Sequence, residues 1–531
     1  MPRNFILMAL LLGVSCGRGP ALPLENEPWS PDNECGPDPD RCVSEVTLHR
    51  AADILFVIDD SGSMAKEQNT LARNFPAFVD VLEGEGLELS YRVGVVNTSL
   101  GPLRATSCRE RTEEFFWNRG YSDEIDAREE GCLDVCRLGD FEVEPSPLDT
   151  DSTRRRRPWL ESSPDGDNLP RGVTMTEAFE CVGPQGISGD GYEAPLETMF
   201  RVIADDDTGF LRDDAVFAVI FVTDEEDCSM PEANSRALKS GEPFTTPLWT
   251  TERPTSAVCW TAGVRCEGGP DVFSTCYAEN IDFSRQPTTP ENAVLHPVDR
   301  YVQALRELSN RKQRMGGNGT VLVAVIAGVP LDYQQGASIV YRNSDNPIFN
   351  LEYGIGPGCG RGTESRLDPP GLPPVRLREF AESFATDQRN LYSVCSSDYS
   401  IALRHIASEI GRLGSRACVP GCARDTDAAI AGLQPSCEVY EERASGRRVR
   451  VRPCAITNQG WFFPDDEDLC YRALVDRDGS TAFTHDDMSP QCVTRGSNVE
   501  IVLERREELE DELGTVRVDC QTTSRSADQG C

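Results

Sequence analysis

Histidine is scarce in this chain, with four residues in 531. They are His49, His296, His405 and His485, and none is near another. There is no His-Glu-X-X-His run, no paired histidine and no Ser-His-Asp order, so the familiar histidine-based hydrolytic and zinc chemistries have no footing here. Positive charge is also thin, with 52 Lys and Arg against 88 Asp and Glu and a net charge of -36. That balance repels polyphosphate backbones and anionic lipid surfaces, which excludes nucleic acid as a partner. Long apolar runs are missing too. The longest near the start, Phe5 to Leu12, follows Arg3 and is too short to span a bilayer, so it reads as the core of an export signal.

Cysteine, by contrast, is plentiful. Gly13-Val14-Ser15-Cys16 closes the apolar run and resembles a bacterial lipobox, which makes Cys16 the expected lipidated residue and residues 1–16 a lipoprotein signal. Setting Cys16 aside, the other 20 of the 21 cysteines fall into even local groups. These are Cys35 and Cys42; Cys108, Cys132, Cys136 and Cys181; Cys228, Cys259, Cys266 and Cys276; Cys359 and Cys395; and eight from Cys418 to Cys531. Even local sets are what disulfides closing separate loops leave behind, and they imply an oxidising compartment. Zinc is the rival reading, but Cys418 and Cys422 have no second pair at zinc spacing.

Residues 17–50 are rich in Pro, Asp, Asn and Glu without apolar period and read as a flexible tether. Continuous apolar runs follow at Asp53 to Asp59, Tyr91 to Val96, Ala215 to Thr223, Thr320 to Ala327 and Leu391 to Val394, as strands buried on both faces require. Helical periods lie between them: Leu71, Phe75, Phe78, Val79 and Leu82; Val302, Leu305 and Leu308; and Tyr399 to Leu413 behind Ser396 and Ser397 as N-caps. The alternation predicts a doubly wound, mostly parallel sheet with helices on both faces over residues 51–416. Stretches at about 101–181 and 228–292 interrupt it, cysteine-bearing and punctuated by Pro and Gly, and read as surface insertions stapled by disulfides. The Arg154 to Arg157 run in the first of them reads as a solvated loop tip. Residues 417–531 form a separate disulfide-rich, β-rich module, in which Asp476, Asp478 and Gly479 read as a hairpin turn rather than a calcium loop.

One loop carries chemistry. Asp59 ends the first strand and is followed by Ser61 and Ser63, which places a carboxylate and two hydroxyls at the carboxyl edge of the sheet. Oxygen donors of this kind suit a hard divalent cation. The strand from Ala215 ends in Asp224, and two acidic strand ends side by side are costly without positive charge between them. Ile-Asp-Asp-Ser-Gly-Ser-Met, from Ile58 to Met64, together with Val-Thr-Asp, from Val222 to Asp224, resembles the von Willebrand factor type A domain and its metal-ion-dependent adhesion site. The resemblance covers roughly residues 50–413.

It implies that Asp59, Ser61, Ser63 and Asp224 hold Mg²⁺ or Ca²⁺, with Mn²⁺ a further candidate, and that a partner's carboxylate often completes the shell. A threonine from a second loop is expected in that family. Here the Gly-rich turn from Gly186 to Gly191 leads to Glu193 instead, with Thr174 and Thr176 ranked behind it. Glu193 as a ligand would strengthen cation binding and make the ion less attractive to an incoming carboxylate. Asp60, Glu225, Glu226 and Asp227 crowd the same edge, as a second cation site or as solvated charge.

The function expected is that of a non-catalytic lipoprotein of the bacterial envelope, facing the periplasm or the surface at the outer membrane. It would touch the membrane only through its lipid anchor and bind a protein or glycan through the metal edge. The rivals are an envelope scaffold braced by the ion and a metal-dependent hydrolase. Nothing in the sequence indicates a homo-oligomer.

Overall fold

The structure is a computed structural model that describes residues 42–48 and the greater part of 51–522; within that span the longest stretches left undescribed are 361–369, 476–487 and 506–514. Cys16, the signal, most of the tether and the Asp476 to Gly479 turn therefore lie outside the described residues.

The five strands expected from the apolar runs form the parallel part of one seven-stranded sheet. Its members are β2 (Ala51–Ile58), β3 (Ser90–Asn97), β4 (Leu160–Ser163), β5 (Gly166–Asp167), β6 (Val216–Val222), β7 (Val321–Ala327) and β8 (Leu391–Ser393). The spatial order is β8-β7-β6-β2-β3-β4-β5. From β8 through β3 every pairing is parallel, whereas β4 and β5 add an antiparallel edge hairpin. The first parallel strand in sequence, β2, thus sits between the second and the third. The connections diverge there, which is the switch point where sheets of this kind open a crevice. In register, Ile58 stands beside Val222 on one side and Asn97 on the other. Residues 59, 98 and 223 therefore leave the sheet side by side.

Each central strand is buried along its whole length, as its unbroken apolar composition demands, and two apolar clusters cover the two faces. On one face α1 (Ala65–Asn74), α2 (Pro76–Leu82), α3 (Met175–Val182) and α10 (Ser400–Gly414) bring Leu71, Phe75, Phe78, Phe179 and Leu403 against Phe56. On the other, α4 (Pro195–Ala204), α7 (Val298–Arg314) and α9 (Val375–Glu382) cover Leu55, Phe217 and Phe221, while α5 (Glu232–Lys239) and α6 (Ala257–Gly263) fall between α4 and α7 in sequence. The single helical period after Ser63 is in fact two helices. Pro76 takes the first position of α2, where its missing N–H costs nothing. The last helix starts at Ser400 rather than behind Ser396 and Ser397, because Asp398 accepts the Ser400 amide at 2.8 Å while Ser396 folds back on Asp398.

Three expectations need correction. The stretch at 101–181 is not all surface insertion: it supplies β4 and α3, and Phe179 of α3 stacks on Phe75 with ring centroids 3.6 Å apart. Its strand escaped notice because Leu-Glu-Ser-Ser has little apolar content, yet Glu161 is fully buried against Arg92 at 3.0 Å. Within its arginine run, Arg157 is no solvated tip but lies buried, donating to the Thr208 carbonyl with its guanidinium near the Trp159 ring. Lastly, the tether stops short of residue 50. Cys42–Leu48 forms β1, which pairs antiparallel with the last strand described, Thr515–Thr522.

That pairing makes β1 an edge of a second seven-stranded sheet, built otherwise from strands between Arg416 and Thr522. The α/β domain is thus inserted between the first strand of the β-module and the rest of it. Eight disulfides join described cysteines: 108–132, 136–181, 228–259, 266–276, 359–395, 418–492, 437–520 and 454–470. All of them fall inside the local groups read from the sequence. Bridges of this kind each stabilise by about 2 to 4 kcal/mol, chiefly by constraining the unfolded chain.

Candidate metal centre

The loop after β2 is held in place before any ion is considered. The Asp59 amide donates to Val222 O at 2.9 Å, and Gln68 Nε2 of α1 donates to both Asp59 O and Gly186 O at 2.8 Å. The same Gln68 side chain accepts the Gln185 amide, so one buried amide group ties the first loop to the glycine-rich turn. That turn lies directly over the loop. Gly189 N donates to Asp60 O at 2.8 Å, and a Cβ at Gly189 would stand 2.6 Å from that oxygen, so only glycine fits.

The side chains then converge. Asp59 is fully buried, accepting Ser61 N on Oδ1 at 2.7 Å and Thr223 Oγ1 on Oδ2 at 2.5 Å. The Ser61 and Ser63 hydroxyls stand 3.0 Å apart, and Ser63 hydrogen-bonds the Asp224 carboxyl. Asp224 is buried, and its Oδ1 has no hydrogen-bond partner. Glu193, 1% exposed, reaches the same cluster; Oε1 accepts Gly191 N at 3.2 Å and Oε2 accepts the Thr98 hydroxyl. Asp60 collects Asn97 Nδ2 and Ser99 Oγ at 2.9 Å, and its Oδ1 shares the one Thr98 hydroxyl with Glu193, 3.2 Å from Thr98 Oγ1.

Electrostatics follow from this packing. Burial raises the Asp59 carboxyl, and the Thr223 and Ser61 hydrogen bonds only partly offset it. Burial, then the negative charges of Asp59, Asp60 and Glu225, lift Glu193 well above the usual carboxylate range. Burial with Asp59, Glu225 and Glu67 does the same for Asp224. Asp60 is pushed up to about 7, mainly by burial. Carboxylates that raise one another in a low-dielectric site leave two ways out, namely protonation or a cation.

The chemistry of the donor set fits a hard cation. It is all oxygen, it spans two loops fixed by the sheet, and it includes a buried carboxylate oxygen with no proton donor. Among the described residues no three His, Cys, Asp or Glu side chains form a compact metal cluster. The set is instead a mixture of carboxylates and hydroxyls, and such shells are commonly completed by water, as for Mg²⁺.

The crowded acids on the third loop divide by role. Glu226 accepts the Val375 and Arg376 amides at 2.7 and 3.0 Å, which caps the start of α9. Asp227 pairs with buried Arg376 at 3.0 Å and also accepts Ser229 Oγ and Leu196 N. Neither is left over for a second cation, and neither is merely solvated. Thr174 lies elsewhere, exposed and spent on a capping box with Glu177 that starts α3. Two hydroxyls were missed in the sequence: Thr98, just past the end of β3, and Thr223, inside the Val-Thr-Asp run. The signal for both was position, one residue beyond a strand flanking β2.

No protein-family model matches this chain, nor does any curated protein sequence. Among solved structures it is similar to a pilus adhesin, SpaC from Lactobacillus rhamnosus GG, at 10% identity and a TM-score of 0.28. The match covers 90% of this chain and 40% of that one, and at so low a score it supports neither fold nor function.

Proposed function

We propose that this chain is an exported, non-catalytic binding protein whose α/β domain is of the von Willebrand factor type A kind. Asp59, Ser61, Ser63 and Asp224 hold a divalent cation, Mg²⁺ or Ca²⁺, at the sheet's switch point. The observation that carries this reading is the buried cluster of mutually repelling carboxylates in which Asp224 Oδ1 has no proton donor. Glu193 accepts hydrogen bonds from Thr98 and Gly191 as Asp59 does from Thr223 and Ser61, and the second lone pair on each of its oxygens leaves it free to join the shell, where it would add negative charge to the ion. When bound, the cation would neutralise the loop acids and offer a coordination position to a protein or glycan partner. Export accords with the disulfides, and Cys16 would anchor the chain by lipid.

The test is calorimetric titration of the full chain with Mg²⁺, Ca²⁺ and Mn²⁺, alongside Asp59→Ala and Asp224→Ala. Micromolar-to-millimolar binding lost in both folded variants is expected. Absence of binding by the wild type, or its persistence in both variants, would overturn the assignment. A chelator then separates adhesion from scaffolding, because an ion that only braces the fold changes the melting temperature and no partner contact.

A further inference from the structure

Beside the metal loop lies a groove of about 450 Å³, lined by Ser61 and Ser63 together with residues from two segments distant in sequence. Trp117 and Ile125 come from a small hairpin in which they pair directly across its strands. Glu352 and Tyr353 come from the end of α8 (Pro347–Tyr353). Asp190 and Glu225 also line it, whereas among the described residues no Lys, Arg or His does. Asp190 is already paired with Lys239. Glu352 has no hydrogen-bond or ion-pair partner among the described residues.

We propose that this groove is a subsite for a cationic side chain, arginine or lysine, presented by a partner polypeptide. The inference rests on reading this edge of the sheet as the binding edge, but it uses a carboxylate that the metal does not. Aromatic faces attract cations through the ring quadrupole, and arginine most readily because its planar guanidinium also stacks. Glu352 supplies the countercharge on an element separate from both metal loops. A metal ion and a cationic side chain can therefore be held a short way apart, each with its own acid.

A polypeptide fits better than a glycan or a free amine because of what surrounds the groove. On α8, one and four residues before Glu352, Leu351 and Ile348 are 46% and 64% exposed. Spaced three apart on a helix, they share a face and offer apolar contact that a sugar would not use.

The test uses the full chain in Mg²⁺ and three capped peptides displayed on streptavidin: Gly-Ser-Arg-Ser-Gly, Gly-Ser-Glu-Ser-Gly and Gly-Ser-Gly-Ser-Gly. The arginine peptide is expected to bind, to weaken as salt is raised, and to persist in chelator. Trp117→Ala and Glu352→Gln should each weaken it by roughly five-fold or more. Binding of the arginine peptide no stronger than that of the glycine peptide overturns the proposal. So does a preference for the glutamate peptide, or an arginine signal unchanged in both variants. Mg²⁺ titration of the same samples reports separately on the metal loop, so failure of one reading is distinguishable from failure of the other.

Discussion

Strand β2 buries a carboxylate near each end, and the two are treated in opposite ways. Near its start, Asp53 is fully buried and answered by Arg212 at 2.8 Å, with Lys312 Nζ at 3.9 Å. Just past its finish, Asp59 is equally buried but meets only hydroxyls, an amide and further acids. A chain able to place a guanidinium against one buried aspartate has, among the described residues, placed no cationic side chain against the other. The lower end is finished by folding, whereas the upper end is the one that the proposed cation would finish.

The comparison can be broken most sharply at the lower end. Arg212→Ala strips Asp53 of its guanidinium partner and takes from the Ala52 and Ser90 carbonyls the donor that this side chain supplies, and should cost about 3 to 5 kcal/mol in urea unfolding. At the upper end the sign reverses. Asp59→Asn removes one of several repelling charges, so in chelator the variant should be more stable than wild type by about 1 to 2 kcal/mol, while the rise in melting temperature on adding Mg²⁺ disappears. A wild type that is more stable than the variant in chelator would mean the upper cluster is not frustrated.

Shape can be tested apart from charge. Gly189→Ala pushes a methyl into Asp60 O and should cost about 1 to 3 kcal/mol and weaken metal binding, with no change in any acid. The smallest effect concerns His296, half-buried on the side of the sheet covered by α4 and α7. Burial first, then Arg300 and Arg376, lower its value to about 4, although Glu197 stands 3.9 Å away. A folded-state value below the unfolded value of about 6.5 means its stabilising contribution is complete above pH 6.5 and is lost as pH falls toward 4. The stability difference between wild type and His296→Gln should therefore narrow between pH 7.5 and 4.5, as read by denaturant melts.

Much of this was legible in the residue order. Runs such as Ala-Val-Phe-Ala-Val-Ile-Phe-Val-Thr, from Ala215 to Thr223, have one stable fate, a strand covered on both faces, and the acids that end two of them, Asp59 and Asp224, mark the edge where loops gather. The alternation of strand and helix carried the sheet. What escaped was whatever depended on a distant partner. Cys42–Leu48 spaces its apolar residues Val43, Val46 and Leu48 without a strand's alternation, and it becomes a strand by pairing with Thr515–Thr522. Glu161 looks like a surface residue until Arg92, Trp159 and Ser146 surround it. Glu226 and Asp227 looked like spare ligands because nothing local reveals that α9 needs a cap or that Arg376 is buried beside them.

The placement of β1 also sets a schedule. As the chain emerges, Cys42–Leu48 comes first, yet the strand that will pair with it is among the last to arrive. Contacts so distant in sequence form late, while the α/β domain between them has its own core and can fold as it appears. For that interval β1 is an unpaired edge, the kind of segment that invites wrong pairing or a chaperone. Completion of the second sheet then draws the two ends of the inserted domain together. The α/β core is therefore in place before the second sheet has closed.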